Sequence, residues 1–285
     1  MSRVLVAGAT GYLGRFVALE LKSRGHFVRA LARAPRKLDD LRGELDQIVA
    51  GEVTRPETLA GACNGIDVVF SSVGITRQRD GLTFRDVDYQ GNVNLLREAK
   101  RAGVRKLIYV SVLHGAELAH LDIVRAHEDF VAELKRSGLD YTVVRPTGFF
   151  SDMEEVLEMA RRGRVYTLGR GDNLVNPIHG ADLAVRCADM VHEERHELEV
   201  GGPQTLRWRE VAELALRTAG KPVRITAVPL WLVALVIFVV RLFSRHRAGL
   251  LAFFHAMASR DVVAPATGTH TLAAHYRRRI AEQRR

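Results

Sequence analysis

A chain of 285 residues with 47% apolar and 26% charged residues has the length and composition of a core-forming protein, one large domain or a domain with a smaller appendage, and not of a disordered one. Its only cysteines, Cys63 and Cys187, form no CxxC pair, which excludes a disulfide framework and a cysteine-built zinc site, so no metal is expected. The formal net charge of +9 is uneven: positions 241–285 hold nine arginines against Asp261 and Glu282, a local balance of +7 that assigns the basic character to the tail.

The first strand is expected at 4–7 (VLVA). Nothing before it reads as a secretory leader, so a cytoplasmic protein is expected. Gly8-Ala9-Thr10-Gly11-Tyr12-Leu13-Gly14 follows directly and opens a helix over 13–23. In this strand–turn–helix setting Gly8 permits a tight turn, Gly11 lets the backbone approach a pyrophosphate, and Gly14 lets helix and strand pack closely. A diphosphate would lie across Thr10, Gly11, Tyr12 and Leu13, at the positive end of the helix.

A second strand at 27–32 leads into Arg33, then Arg36 and Lys37, with no acid between Glu20 and Asp39. Sites for NAD place an acid about 20 residues beyond the glycines to bind the ribose hydroxyls. Cations there suit an adenosine 2′-phosphate instead. The expected cofactor is therefore NADP(H) over NAD(H), with Arg33 and Lys37 on the phosphate; solvated surface cations are the plain alternative.

Further strands at 47–50, 68–71, 107–112 and 141–145 alternate with helices at 56–62, 84–102 and 123–136. Near-continuous apolar strands separated by helices imply an α/β fold: a Rossmann-type doubly wound parallel sheet, with a small C-terminal lobe. Beyond Pro146 the rhythm loosens, with helices at 153–162 and 208–219 and a strand at 197–200. The organisation expected is a dinucleotide-binding core at 1–150, a smaller substrate-side lobe integrated with it at 151–225, and an apolar segment with a basic tail at 226–285.

Residues 228–240 (VPLWLVALVIFVV) carry no polar side chain beyond the indole of Trp231. A stretch of 13 residues falls short of the ~20 that span a bilayer. Pro229 suits a first helical turn, and a helix apolar all round is expected to be buried. Arg241, Arg245 and Arg247, a second apolar patch at 250–257, and Arg277, Arg278 and Arg279 come after it. Two readings stand side by side. One is peripheral docking on an anionic membrane at its inner face, with access to a lipophilic substrate. The other is a core or dimer-forming helix with a solvated basic tail. No recognised module surrounds the arginines, so no nucleic-acid partner is expected.

GATGYLG at 8–14, Arg33, SSVGITRQ at 71–78, VDYQGNVNLL at 87–96, KLIYVSV at 106–112 and SGLDYTVVRPTGFF at 137–150 together resemble the atypical short-chain dehydrogenase/reductases. The flavour is that of NmrA-like NAD(P)H-binding proteins, related to divinyl-chlorophyllide reductases and the complex I accessory-subunit family. The likeness covers roughly 3–200 and names no substrate. It implies that Ser72, Val73 and Gly74 close the end of the fourth strand over the adenosine and its ribose. It further implies that Ser111 ends the strand facing the nicotinamide, and that Pro146, Thr147 and Phe149 shape the carboxamide side. NPIHGADLA at 176–184 resembles the family's segment returning to the core, where His179 is a substrate contact or a core histidine satisfied by the backbone.

The resemblance also implies a Tyr followed four residues later by Lys, the phenol donating a proton as a carbonyl becomes an alkoxide. Four residues after Tyr12, Tyr89, Tyr109, Tyr141, Tyr166 and Tyr276 stand Phe16, Val93, Leu113, Arg145, Arg170 and Ile280, so the pair is missing. Ile123 and His127 occupy the two places. Ser111 and His127 are the catalytic candidates, His127 also serving as a ribose contact or a neutral helix histidine, with His114 a second candidate proton donor. Two functions stay open. One is an oxidoreductase passing hydride to a small or lipophilic substrate (alkene, quinone-like or carbonyl). The other is a non-catalytic NADP(H)-sensing or assembly protein.

Overall fold

The computed structural model describes residues 1–75 and 81–283; Thr76, Arg77 and Gln78 of the resemblance motif lie outside them. Strand β1 (Arg3–Ala7), helix α1 (Tyr12–Ser23), β2 (Phe27–Ala32), β3 (Gln47–Ala50), β4 (Val68–Ser71), α2 (Asn92–Arg101), β5 (Lys106–Val110), the short α3 (Gly115–Leu118), α4 (Asp122–Arg136) and β6 (Asp140–Pro146) follow in order. They are succeeded by α5 (Phe150–Arg161), β7 (Val165–Leu168), β8 (Leu174–Val175), α6 (Gly180–Asp189), β9 (Glu197–Val200), β10 (Leu206–Arg207), α7 (Trp208–Thr218) and β11 (Ile225–Val228). Helices α8 (Leu230–Phe243), α9 (Arg245–Ala258) and α10 (Leu272–Glu282) complete the described chain.

Two compact units result, the first made of Met1–Arg145 with Leu183–Leu198, the second of Pro146–Asp182 with Glu199–Arg285. A seven-stranded sheet runs in the order β3-β2-β1-β4-β5-β6-β9, and the first six strands of that order are mutually parallel. This is the doubly wound α/β arrangement, whose order reverses between β1 and β4 and opens a crevice at the strands' carboxyl ends. Apart from the end residues Arg3, Ser71 and Lys106, strands β1, β4 and β5 are apolar and buried on both faces, as a sheet covered by helices requires. Leu5, Val69, Leu107, Tyr109, Phe130 and Val143 belong to the resulting core.

Two predicted helices differ in kind. The segment expected as a helix over 56–62 is a single 3₁₀ turn, Pro56–Leu59. The helix expected from 84 begins as a widened π turn, Arg85–Gly91, and becomes regular only at Asn92. The widening accompanies a buried Asp88 inside the first unit and a close approach at Gly91, where a Cβ would come within 2.7 Å of Val53 Cγ2.

Within the second unit β10 pairs with β8 antiparallel and β11 with β7 in parallel. The fully buried Asn176 donates from Nδ2 to the carbonyls of Gly202 and Ala264, and its Oδ1 accepts from the Ala264 amide. Asp182 accepts the amides of Thr269 and His270 together with His270 Nδ1. The Tyr276 hydroxyl donates to the Met153 carbonyl at 2.8 Å and pins α10 to α5. Helix α8 turns back on α9 through Ser244, and none of its residues is buried. Burial of this helix, expected from its composition, is thus corrected: apolarity states what a helix would gain by being covered, and the described residues pack α9 against it without burying any of its side chains.

Candidate functional site

An open cleft lies at the carboxyl ends of β1 to β4, the place where doubly wound sheets hold their ligands. Gly8, Thr10, Gly11, Arg33, Ser72, Val73 and Gly74, all singled out from the sequence, line it, together with Gly51, Glu52 and Val53 beyond β3. Gly8 has φ +86°, and a Cβ there would sit 2.8 Å from Ser72 Oγ. At Gly14 a Cβ would lie 2.1 Å from the Gly8 carbonyl oxygen, so helix and turn touch backbone to backbone. The α1 terminus has no side-chain cap and no acid in its first turn, leaving its positive end to a bound anion. The residues present therefore fit a diphosphate.

The remaining members of the turn sit behind this surface. Tyr12 opens α1 with its ring edge-on to Phe16, while Leu13 and Gly14 are buried. Arg33, half-exposed at the tip of β2, has its Nη1 3.8 Å from Glu52 Oε1. Lys37 is exposed in the 3₁₀ turn Pro35–Leu41, its carbonyl accepting Arg15 Nη1 at 3.0 Å. It does not line the cleft with Arg33.

The loop 72–75 is braced from beneath. Asn92 accepts the Ser71 hydroxyl at 2.6 Å and donates to the carbonyls of Val73 and Asp88. The Asp88 carboxylate accepts the Ile75 amide at 3.3 Å and faces His127 Nε2 at 3.2 Å. On its other side His127 Nδ1 stands 2.6 Å from the Tyr109 hydroxyl. Burial pushes the Asp88 carboxyl up, His127 opposing the shift, and burial raises the Tyr109 phenol well above its ordinary range. The phenol keeps its proton, and with the Tyr109 hydroxyl at Nδ1 and Asp88 at Nε2 both ring nitrogens of His127 are engaged in either tautomer. A Cβ on Gly74 would lie 2.9 Å from Asp88 Oδ1 and 3.7 Å from His127 Cε1, which places this buried row directly behind the cleft wall.

Ser111 follows β5 and donates to Glu128 Oε1 at 2.9 Å. Glu128 is held by both terminal nitrogens of Arg145, at 2.7 and 3.0 Å, and Arg145 also donates to the Val112 carbonyl. Burial alone would lower the Arg145 guanidinium, but Glu128 and then Glu197 outweigh it and hold it above its ordinary value. Against this clamp rests Gly115, where a Cβ would meet Glu128 Oε1 at 2.2 Å. His114, between clamp and strand, has φ 58°, the sole non-glycine positive φ among the described residues. Its Nδ1 is 3.3 Å from Glu117 Oε1, and its buried Nε2 has no hydrogen-bond partner among them. A left-handed backbone and a buried nitrogen without a partner among the described residues together single out His114 as a candidate functional position.

Pro146, Thr147 and Phe149 belong to the second unit. Pro146 ends β6, the Thr147 hydroxyl donates to the Asn176 carbonyl at 2.6 Å, and Phe149 precedes α5. His179, buried in the same unit, stacks on His270 with centroids 4.2 Å apart and accepts the Ala181 amide at Nδ1. Glu52, Asp88, Asn92, Glu128 and Arg145 escaped the sequence reading. Asp88 and Asn92 sat inside the quoted VDYQGNVNLL, yet only the fold brings them under the loop.

A profile describing NAD(P)H-binding proteins matches residues 8–194. Among curated proteins, the chain is 31% identical to the photosystem II assembly factor Ycf39 of Synechocystis sp., over 90% of this chain and 80% of that one. It is 29% identical to the chloroplastic divinyl chlorophyllide a 8-vinyl-reductase of Zea mays, over 94% and 74%. Among solved structures, an NADPH-dependent quinone oxidoreductase from Escherichia coli complexed with NADPH aligns with a TM-score of 0.79 at 22% identity, covering 98% of this chain and all (100%) of that one. The triphenylmethane reductase of Citrobacter sp. aligns at 0.78 and 18%, covering 99% and 100%. At such identities the likeness of structure is one of fold.

Proposed function

The chain belongs to the NAD(P)H-binding family, and from that premise we propose that it holds NADP(H) in preference to NAD(H). In the same reading it is an oxidoreductase acting on a small or lipophilic substrate: an alkene, a quinone-like ring or a carbonyl. The observation that carries the reading is the convergence of the glycine turn and Arg33 on one cleft. Arg33 stands where a 2′-phosphate would be met, and its planar fork suits that group. A reduced nicotinamide, when bound, supplies hydride.

The chain's own residues then have distinct tasks. Gly8, Thr10 and Gly11 present backbone to the diphosphate, with Tyr12, Leu13 and Gly14 as the helix end behind them. Ser72, Val73 and Gly74 wall the adenosine side, held in place by Asn92 and Asp88. His127 acts in this reading as a positioning residue, since both its nitrogens are engaged. Ser111 is tied to Glu128. Proton delivery falls to the imidazolium form of His114, which would give up the Nε2 proton while Nδ1–H stays with Glu117.

A second reading, a non-catalytic NADP(H)-binding assembly protein, draws on the likeness to a relative named as an assembly factor and on the engaged state of Ser111 and His127. Calorimetric titration with NADPH and NADH, followed by NADPH consumption with a panel of quinones, conjugated alkenes and carbonyls, separates the two. Preferential NADPH binding with turnover of a panel member supports the first; tight binding without any turnover supports the second. Failure of both nucleotides to bind at millimolar concentration overturns both.

A further inference from the structure

The α8–α9 hairpin is an apolar surface that its own chain leaves open. Trp231, Phe238, Leu242 and Phe243 are 69%, 62%, 71% and 85% exposed. Trp231, Leu235, Phe238, Val239 and Leu242 recur at helical spacing, so one continuous face of α8 is presented. Exposed apolar patches of this kind mark interaction sites. The question is what covers it, and the charges answer.

Arg241 lies in the last turn of α8, and Arg245 and Arg247 in the first turn of α9, on either side of the connecting Ser244. No aspartate or glutamate occurs anywhere in 228–260. Two of these arginines sit at the positive end of α9, where a cation is unfavourable unless an anion answers it. A second copy of the chain would offer an equally cationic hairpin with no acid to pair. A sheet of anionic headgroups over hydrocarbon offers both complements at once, phosphate for the guanidinium groups and acyl chain for the aromatic face.

Length sets the mode of attachment. The 14 residues of α8 extend about 21 Å, short of the ~30 Å hydrocarbon core. No helix among the described residues is long and apolar enough to cross a membrane. We propose that α8 and α9 form a monotopic docking element that lies in the plane of an anionic lipid surface, α8 embedded among the acyl chains and the Arg241, Arg245 and Arg247 turn at the phosphates. This attachment rests on the second unit alone and does not depend on which nucleotide the cleft holds.

The test is flotation of the full chain with vesicles of phosphatidylcholine containing phosphatidylglycerol, against phosphatidylcholine alone. Binding is expected only with the anionic lipid and is expected to weaken as salt rises. The triple change R241Q/R245Q/R247Q should lower partitioning about 100-fold, roughly five-fold per arginine. In a Trp208→Phe background, Trp231 emission should shift to the blue on adding anionic vesicles and be quenched by shallowly brominated lipid. Equal flotation with both vesicle types, or none with either, overturns the proposal. So does a Trp231 already shielded without lipid in a chain that sediments as a dimer. Should the triple variant lose its native circular dichroism, the lipid and salt dependence of the unaltered chain decides.

Discussion

Substituting Arg33 by alanine tests the cofactor reading at its most exposed point. The guanidinium is half-exposed at the tip of β2 and stands 3.8 Å from Glu52, which is 25% exposed. A hydrogen bond to a charged partner contributes about 1.5–3 kcal/mol, and solvent at this position favours the lower end, about 1.5–2 kcal/mol. The dissociation constant for NADPH should therefore rise about 10- to 30-fold in Arg33→Ala. NADH brings a hydroxyl where NADPH brings the phosphate, so its affinity should move less than about three-fold. Glu52→Gln removes a carboxylate that competes for the guanidinium and repels the phosphate. A pair this open is worth under about 1 kcal/mol, so NADPH should bind about two- to five-fold tighter. Because the two side chains interact, the double variant should depart from the sum of the single effects. Titration calorimetry with both nucleotides reads all three variants as a selectivity ratio. An Arg33→Ala chain that loses NADPH and NADH equally, or loses neither, refutes the assignment of a 2′-phosphate to this strand tip.

Replacing His114 by glutamine should lower turnover with NADPH about 100-fold, the lower range for a general acid, while nucleotide affinity stays unchanged; an unaltered rate would assign protonation to solvent. Glu128→Ala leaves the buried Arg145 guanidinium with Glu197 alone and should cost about 3 kcal/mol in a calorimetric melt. Lys135→Ala, at the open end of the same network, should cost under about 1 kcal/mol, so equal losses would show the buried pair not to be special. His179 is held down at about 4 by burial and by the stacked His270. The folded chain then takes up this proton later than the unfolded one, so the associated stability is whole above the ordinary value of 6.5 and drains away as pH falls toward 4. Allowing for solvent at the half-exposed His270, the loss should be about 1–2 kcal/mol. His179→Gln should flatten the melting temperature against pH over that window, and parallel curves for the two chains would count against the cause given.

The sheet was legible because burial on both faces forces apolar runs, and β1 and β4 carry them at the predicted positions, while β2 carries its own around the buried, hydrogen-bonded Arg29. The turn at 8–14 was legible because backbone contact at Gly8 and Gly14 admits no other residue type. What local pattern could not supply were pairs fixed by the fold. Asp88 meets Ile75 and His127, and Glu128 meets Ser111 and Arg145, across 13 to 39 positions of chain. Those partners decide which sequence candidates keep a proton to give. The resemblance pointed to Ser111 and His127, the residues now found engaged. His114 stood beside them as a loop histidine, and only its left-handed backbone and its unanswered nitrogen distinguish it.

That distribution of protons bears on the acceptor. Reduction of an isolated carbonyl creates an alkoxide, a strong base that needs an acid held at the reacting oxygen in step with hydride arrival. The Tyr–Lys pair that would supply it is missing from the sequence, and Tyr109 is fully buried with its hydroxyl on His127. A conjugated alkene or quinone-like ring spreads the incoming charge over several atoms, so its anion persists until one histidine, or water, returns a proton. In the proposed reading, the His114 nitrogen that lacks a partner among the described residues would suit delocalised acceptors better than simple ketones. Such acceptors are largely apolar, and an enzyme that docks in the plane of a lipid surface would meet them where they partition.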